Sequence, residues 1–126
     1  MSKPTIMVID DEKIVGDMSK HHLKAAGFDV EIFVDPVLAL ERVGEKHFDV
    51  VVTDLKMKGV DGMMVLKTVK SISPGTQVIM ITAFAHLNTA IEAMRGQVFD
   101  FFPKPFKIKD FIESVNRALE SSKQKS

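Results

Sequence analysis

The sequence predicts a three-layer α/β fold in which five parallel strands alternate with five helices. Three observations predict it. Five short apolar runs recur at residues 5–9, 30–34, 50–53, 78–81 and 98–102, most of them rich in Val, Ile or Phe and bounded by Asp, Gly or Pro. Three of these runs (IMVI, VVV, VIMI) are continuously apolar, which suits central strands covered on both faces. Segments of helical periodicity separate the runs, and strands alternating with helices imply parallel pairing through right-handed crossovers.

The helices follow in order. Residues 13–26 place Ile14, Met18 and Ala25 on one side and end at Gly27, a good C-terminal cap. Asp35-Pro36 opens the second helix, an N-cap residue followed by proline at the first helical position, with Ala39, Leu40 and Val43 inward. The third helix spans residues 63–72, with Leu66 and Val69 inward, and stops before Ser73-Pro74-Gly75. The fourth starts near Asn88 and carries Ile91 and Met94. The fifth spans residues 109–121, with Phe111, Ile112, Val115 and Leu119 as an apolar stripe. The 126 residues fit one domain, ordered over about 4–121, with a polar tail at 121–126 expected to fray.

Composition narrows the function classes. Seventeen basic and seventeen acidic residues give no net charge, which argues against direct nucleic-acid binding by a broad basic surface. Cysteine is absent, so no disulfide or thiolate metal site exists; this fits a reducing, cytoplasmic setting. No apolar run is long enough for a membrane span, and no signal peptide is evident.

In an open parallel sheet, ligands bind beyond the carboxyl ends of the strands. Asp10, Asp11 and Glu12 follow the first run, Asp54 the third, Thr82 and Ala83 the fourth, and Lys104 and Pro105 the fifth. Clustered carboxylates repel unless a cation compensates them, and all-oxygen ligands select a hard ion such as Mg²⁺. An Asp carboxylate beside such an ion can act as a nucleophile toward phosphorus, with Lys104 and Thr82 supplying charge and hydrogen bonds. Taken singly, each residue has an ordinary structural reading: Asp54 as a turn former, Asp10-Asp11 as a helix cap, Thr82 as a cap, Lys104 as a solvated lysine. Their shared place at successive strand ends favours the chemical reading.

The segments IMVIDDE at 6–12, VVTDLKM at 51–57, VDG at 60–62, ITA at 81–83 and DFFPKPF at 100–106, in this order, resemble the receiver domain of bacterial two-component response regulators. The resemblance covers nearly the whole chain. It implies a flavodoxin-like (βα)₅ sheet in strand order 2-1-3-4-5. It implies that Asp54 accepts a phosphoryl group from a sensor histidine kinase or a phosphotransfer protein. It implies Mg²⁺ held by Asp11, Asp54 and the backbone carbonyl of Lys56, with Asp10 acting directly or through water. Lys104 would pair with the phosphoryl oxygens, Thr82 would move toward the phosphate, and Phe101 would swing into the space released. The Lys104–Pro105 peptide would be cis. The phosphorylated domain would alter the surface of its fourth helix, fifth strand and fifth helix, toward a second copy or an output domain. No enzymatic turnover of a separate substrate is expected.

The chain departs from the family pattern at Lys58, where proline is usual, and at Phe101, where tyrosine is frequent. Gly96-Gln97-Val98 carries its glycine one place early, which leaves the end of the fourth helix open. His22 stands at a usually apolar position and is expected to be a satisfied, partly buried side chain; His21 and His22 should face different ways and bind no metal. The eight methionines are expected mostly as core filler. Two other classes fit less well. A haloacid-dehalogenase-type phosphatase wants Asp-x-Asp after the first strand, and a flavodoxin-like electron carrier wants a hydroxyl-rich phosphate loop there. Both a stand-alone regulator and the input domain of a larger one fit the length.

Overall fold

A computed structural model of the chain describes residues 3–125 apart from residue 85, without the side chains at 87 and 123–125. The order is β1 (Thr5–Ile9), α1 (Lys13–Ala25), β2 (Asp29–Phe33), α2 (Pro36–Glu45), β3 (Val50–Asp54), α3 (Gly62–Ile72), β4 (Gln77–Thr82), α4 (Leu87–Arg95), β5 (Asp100–Pro103) and α5 (Ile108–Lys125). The five strands are parallel, in order β2-β1-β3-β4-β5. No described helix is long and apolar enough to cross a membrane.

The continuously apolar runs are the fully buried strands. β1, β3 and β4 each feed both faces. Ile6, Val8, Val50, Val52, Ile79 and Ile81 join Phe111, Val115 and Leu119 of α5 on one side. Met7, Ile9, Val51 and Val78 join Ala39, Val43, Leu66 and Val69 of α2 and α3 on the other. This two-sided burial is why alternation is missing from the sequence of these strands.

Local signals set several ends as expected. Asp35 accepts a hydrogen bond from the Val37 amide, and Pro36 follows at the first helical position. Gly27 takes φ +98° after α1, and the Phe28 and Gly27 amides donate to the Leu23 and Lys24 carbonyls at 3.2 and 3.0 Å, a Schellman cap.

Four expectations need correction. The inward face of α1 is Gly16, Ser19 and Leu23, whereas Ile14 and Met18 are 81% and 44% exposed and Ala25 is exposed. Small residues bring α1 close to β2, where a Cβ on Gly16 would lie 3.8 Å from Ile32. β5 begins two residues later than expected, because Val98 still caps α4. The fifth helix continues to Lys125, past the expected boundary at 121, with the Ser122 hydroxyl donating to the Gly75 carbonyl at 2.9 Å. The methionines fit the expectation of core filler only in part: Met7 and Met80 are buried and Met57 and Met63 pack against the core, but Met18, Met64 and Met94 are exposed.

The early glycine also has an account. α4 ends in a second Schellman cap, with the Val98 and Gln97 amides donating to the Ala93 and Met94 carbonyls at 3.0 and 3.1 Å. The left-handed position is Gln97, at φ 70°, not a glycine. Gly96 precedes it with ordinary φ, because a Cβ there would lie 2.6 Å from Leu66 Cδ2. Glycine serves the contact between α4 and α3, and glutamine takes the turn.

Candidate functional site

The parallel sheet delivers its chemistry at the carboxyl ends of β1, β3, β4 and β5. Asp10 directly follows β1 and is buried; its Oδ1 accepts from the Glu12 amide at 2.9 Å. Asp54 is the last residue of β3 and is buried; its Oδ1 accepts from the Lys56 amide at 3.3 Å. Lys104 follows β5, and its amide donates to the Thr82 carbonyl at 2.8 Å, which extends the sheet pairing by one step. The Lys104–Pro105 peptide is cis, as expected.

From that position the Lys104 ammonium donates to Asp10 Oδ2 and Asp54 Oδ2, both at 2.8 Å, and to Glu12 Oε1 at 3.3 Å. Its three N–H groups therefore meet three carboxylates. Burial acts to lower the lysine's pKa, but the hydrogen bonds to Asp10 and Asp54 outweigh it and hold the ammonium well above its ordinary range. Asp10 titrates above the usual carboxylate range, chiefly because it is buried, with Lys104 opposing.

Asp10, Glu12 and Asp54 bring carboxylate oxygens within 4.8 Å of one another. Three carboxylates against one ammonium leave two negative charges uncompensated. All donors are oxygen, so the residues present suit a hard divalent cation. Asp11 is exposed and stands outside this group. Glu12 stands at the end of β1 in sequence, but no role for it follows from the sequence alone. The signal was the third acid in the run DDE.

Thr82 is buried, and its hydroxyl accepts from the Phe84 amide at 3.0 Å. Phe101 pairs in register with Met80 and packs, half-buried, against Leu55, Met80 and Ala93. Thr82 lies two residues beyond Met80, so it shares that face of β4. Gly62 tightens the loop behind Asp54: its amide donates to the Leu55 carbonyl at 2.7 Å, and a Cβ would collide with the Asp54 carbonyl oxygen. His22 is half-buried, and its ring meets His21 edge-on at 5.3 Å; neither belongs to a metal-ligating group among the described residues.

Comparison with known proteins agrees with this geometry. The family model described as "Response regulator receiver domain" matches residues 6–116. The chain is 33% identical over 119 residues to the DNA-binding transcriptional regulator NtrC of Escherichia coli (strain K12), covering 94% of this chain and 25% of that protein. It spans about a quarter of the length of the curated relatives it matches. Among solved structures, the CheY-like receiver domain protein from Methanospirillum hungatei JF-1 superposes with a TM-score of 0.95 at 23% identity, over 99% of this chain and 100% of that one. The beryllofluoride-activated NtrC4 receiver domain dimer superposes at 0.89 with 27% identity, over 94% and 98%. The chain belongs to the receiver domain family of two-component response regulators.

Proposed function

We propose that this receiver domain accepts a phosphoryl group on Asp54 from the phosphohistidine of a sensor histidine kinase or phosphotransfer protein, in a Mg²⁺-dependent reaction. The carrying observation is the grip of Lys104 on both Asp10 and Asp54 at one end of the sheet. Such a constellation positions a nucleophilic carboxylate and holds a cation ready for the charge that arrives.

Asp10, Asp11, Asp54 and the Lys56 carbonyl would hold the metal. When bound, Mg²⁺ would neutralise the excess carboxylate charge and orient a phosphate oxygen. The chain's own residues do the rest. An Asp54 carboxylate oxygen attacks phosphorus, the bond to the donor nitrogen breaks, and the leaving imidazole keeps the electron pair. The product is an acyl phosphate whose phosphoryl group carries about −1.5 to −2, in place of the single charge of the Asp54 carboxylate. Lys104 then donates to phosphoryl oxygens. The Thr82 hydroxyl accepts from Phe84 and still has a proton to donate to the phosphate. Drawing Thr82 forward opens space on the face that Phe101 occupies, and the ring turns inward. The domain modifies its own carboxylate and turns over no separate substrate.

The output surface would be α4–β5–α5, which presents Ile91, Arg95, Lys107, Asp110 and Glu113 to solvent. Mixed charge flanking an apolar patch suits a modest, switchable interface. A second copy is one occupant, since a similar receiver domain was solved as a dimer, and the output domain of a larger regulator such as the transcriptional relatives is another. The domain itself contacts no nucleic acid or membrane, and it works in the cytoplasm.

Incubation with Mg²⁺ and acetyl phosphate, read by intact mass, tests this reading. One base-labile phosphate per chain, lost with a chelator or with Asp54→Asn, is expected. Base-stable labelling that survives Asp54→Asn would overturn it.

A further inference from the structure

Glu12 occupies the N-cap of α1, where short polar side chains serve best. Its carboxylate makes no capping hydrogen bond there. Instead Oε1 reaches the Lys104 ammonium at 3.3 Å, across 92 residues of sequence. Its backbone is held by the 2.9 Å hydrogen bond from its own amide to Asp10. Asp10 and Asp54 are buried, while the Glu12 side chain is 65% exposed. Glu12 is thus the outermost of the three carboxylates around the lysine, and it lines with Lys104 one cavity of about 430 Å³ whose other walls are Val15, Met18, Ala83, Pro105 and Phe106.

We propose that Glu12 is an electrostatic gate on the phosphoryl donor, biasing the site toward nitrogen-linked donors of low net charge and against free dianionic acyl phosphates. This rests on Asp54 being the phosphoryl acceptor. Any phosphoryl group that reaches Lys104 must displace Glu12 from the ammonium's third N–H and pass its charge. Both costs grow with the negative charge of the donor. A donor whose phosphorus is bonded to nitrogen carries compensating positive charge on that nitrogen and meets less repulsion. Glu12 acts through Lys104 and through its own field, and it forms no bond to phosphorus.

The two donor classes can be compared on the same carboxylate. With acetyl phosphate, Asp54 attacks phosphorus, the phosphorus–oxygen bond breaks, and acetate leaves with the electron pair. With phosphoramidate, whose nitrogen is already protonated, Asp54 attacks phosphorus, the phosphorus–nitrogen bond breaks, and ammonia leaves with the electron pair. The isosteric Glu12→Gln removes the charge and keeps the shape. At low ionic strength and saturating Mg²⁺, it should raise the rate with acetyl phosphate about three- to tenfold. The rate with phosphoramidate should rise less than about twofold. Glu12→Lys should widen the difference further, and added salt should narrow it. Equal change with both donors, or none, would overturn the gate while leaving Asp54 as acceptor. Absence of any base-labile phosphate on the unaltered chain would overturn both.

Discussion

Lys104 Nζ stands 2.8 Å from Asp54 Oδ2, joining the ends of two strands that are not neighbours in the sheet. β4 lies between them, and Lys104 reaches across it because its own amide is tied to the Thr82 carbonyl. The cation that completes the site is therefore positioned by the same hydrogen-bond ladder that builds the fold.

Removing that cation should weaken both properties. Lys104→Met leaves the buried Asp10 and Asp54 facing each other without compensation. The expected cost is about 2–4 kcal/mol at neutral pH. Because the lost charge is positive, Mg²⁺ should recover much of it. Urea unfolding with and without Mg²⁺ measures this. The variant should remain folded and should accept phosphate slowly. Unchanged stability together with normal phosphorylation would contradict the role given to Lys104.

Asp10 gives the fold a pH dependence of definite sign. Its folded-state pKa lies above the ordinary carboxylate value of 3.8, mainly through burial. A group that binds its proton more tightly when folded destabilises the fold once ionised. In this group's contribution, stability is therefore greatest below the ordinary carboxylate value of 3.8 and falls as pH rises through the raised folded-state pKa. Asp10→Asn should raise the urea midpoint at neutral pH in metal-free buffer, and the gain should vanish near pH 3. The same variant should bind Mg²⁺ more weakly. A lower midpoint at neutral pH would mean that ionised Asp10 stabilises the fold and would contradict this sign.

The α4 cap makes a paired prediction. Gln97 holds a left-handed conformation that glycine adopts without strain, so Gln97→Gly should stabilise by up to about 1 kcal/mol after the unfolded-state entropy is subtracted. Gly96→Ala should cost about 1–3 kcal/mol, because its Cβ meets Leu66. Thermal unfolding of the two variants should move in opposite directions.

Ser19 is the single buried side chain among the described residues whose polar atom has no hydrogen-bond partner. Ser19→Ala keeps the close approach of α1 to the sheet and removes an unsatisfied hydroxyl. It should stabilise by about 1 kcal/mol in urea unfolding.

The sequence made visible whatever depends on local chemistry or on burial from both sides. The uninterrupted apolar residues of β1, β3 and β4 marked them as central strands, and Asp35-Pro36 marked the start of α2. The strand-end positions of Asp10, Asp54, Thr82 and Lys104 followed from topology alone; the side chains of Asp10, Asp54 and Lys104 meet there, while the Thr82 hydroxyl is engaged by the Phe84 amide. The inward face of α1 was not legible, because Ile14-Met18-Ala25 and Gly16-Ser19-Leu23 both repeat at helical spacing. The choice between them was made by the fit of small residues against Ile32 of β2. The exchange of roles between Gly96 and Gln97 was hidden for the same reason, since it depends on Leu66 in another helix. Glu12 carried an ambiguous local signal: an acid at a helix start reads as a dipole partner, and its lysine lies far along the chain.

The central claim is that Asp54 is the phosphoryl acceptor, and chemical trapping of the acyl phosphate tests it most directly. The chain is phosphorylated with Mg²⁺ and acetyl phosphate, reduced with borohydride and digested, and the peptides are sequenced by mass spectrometry. Borohydride reduces an aspartyl phosphate to homoserine and leaves unmodified carboxylates intact. The account predicts homoserine at position 54, formed only after phosphorylation and only with Mg²⁺. Homoserine at position 10 or 11, or a phosphorylated chain that yields none, would contradict it.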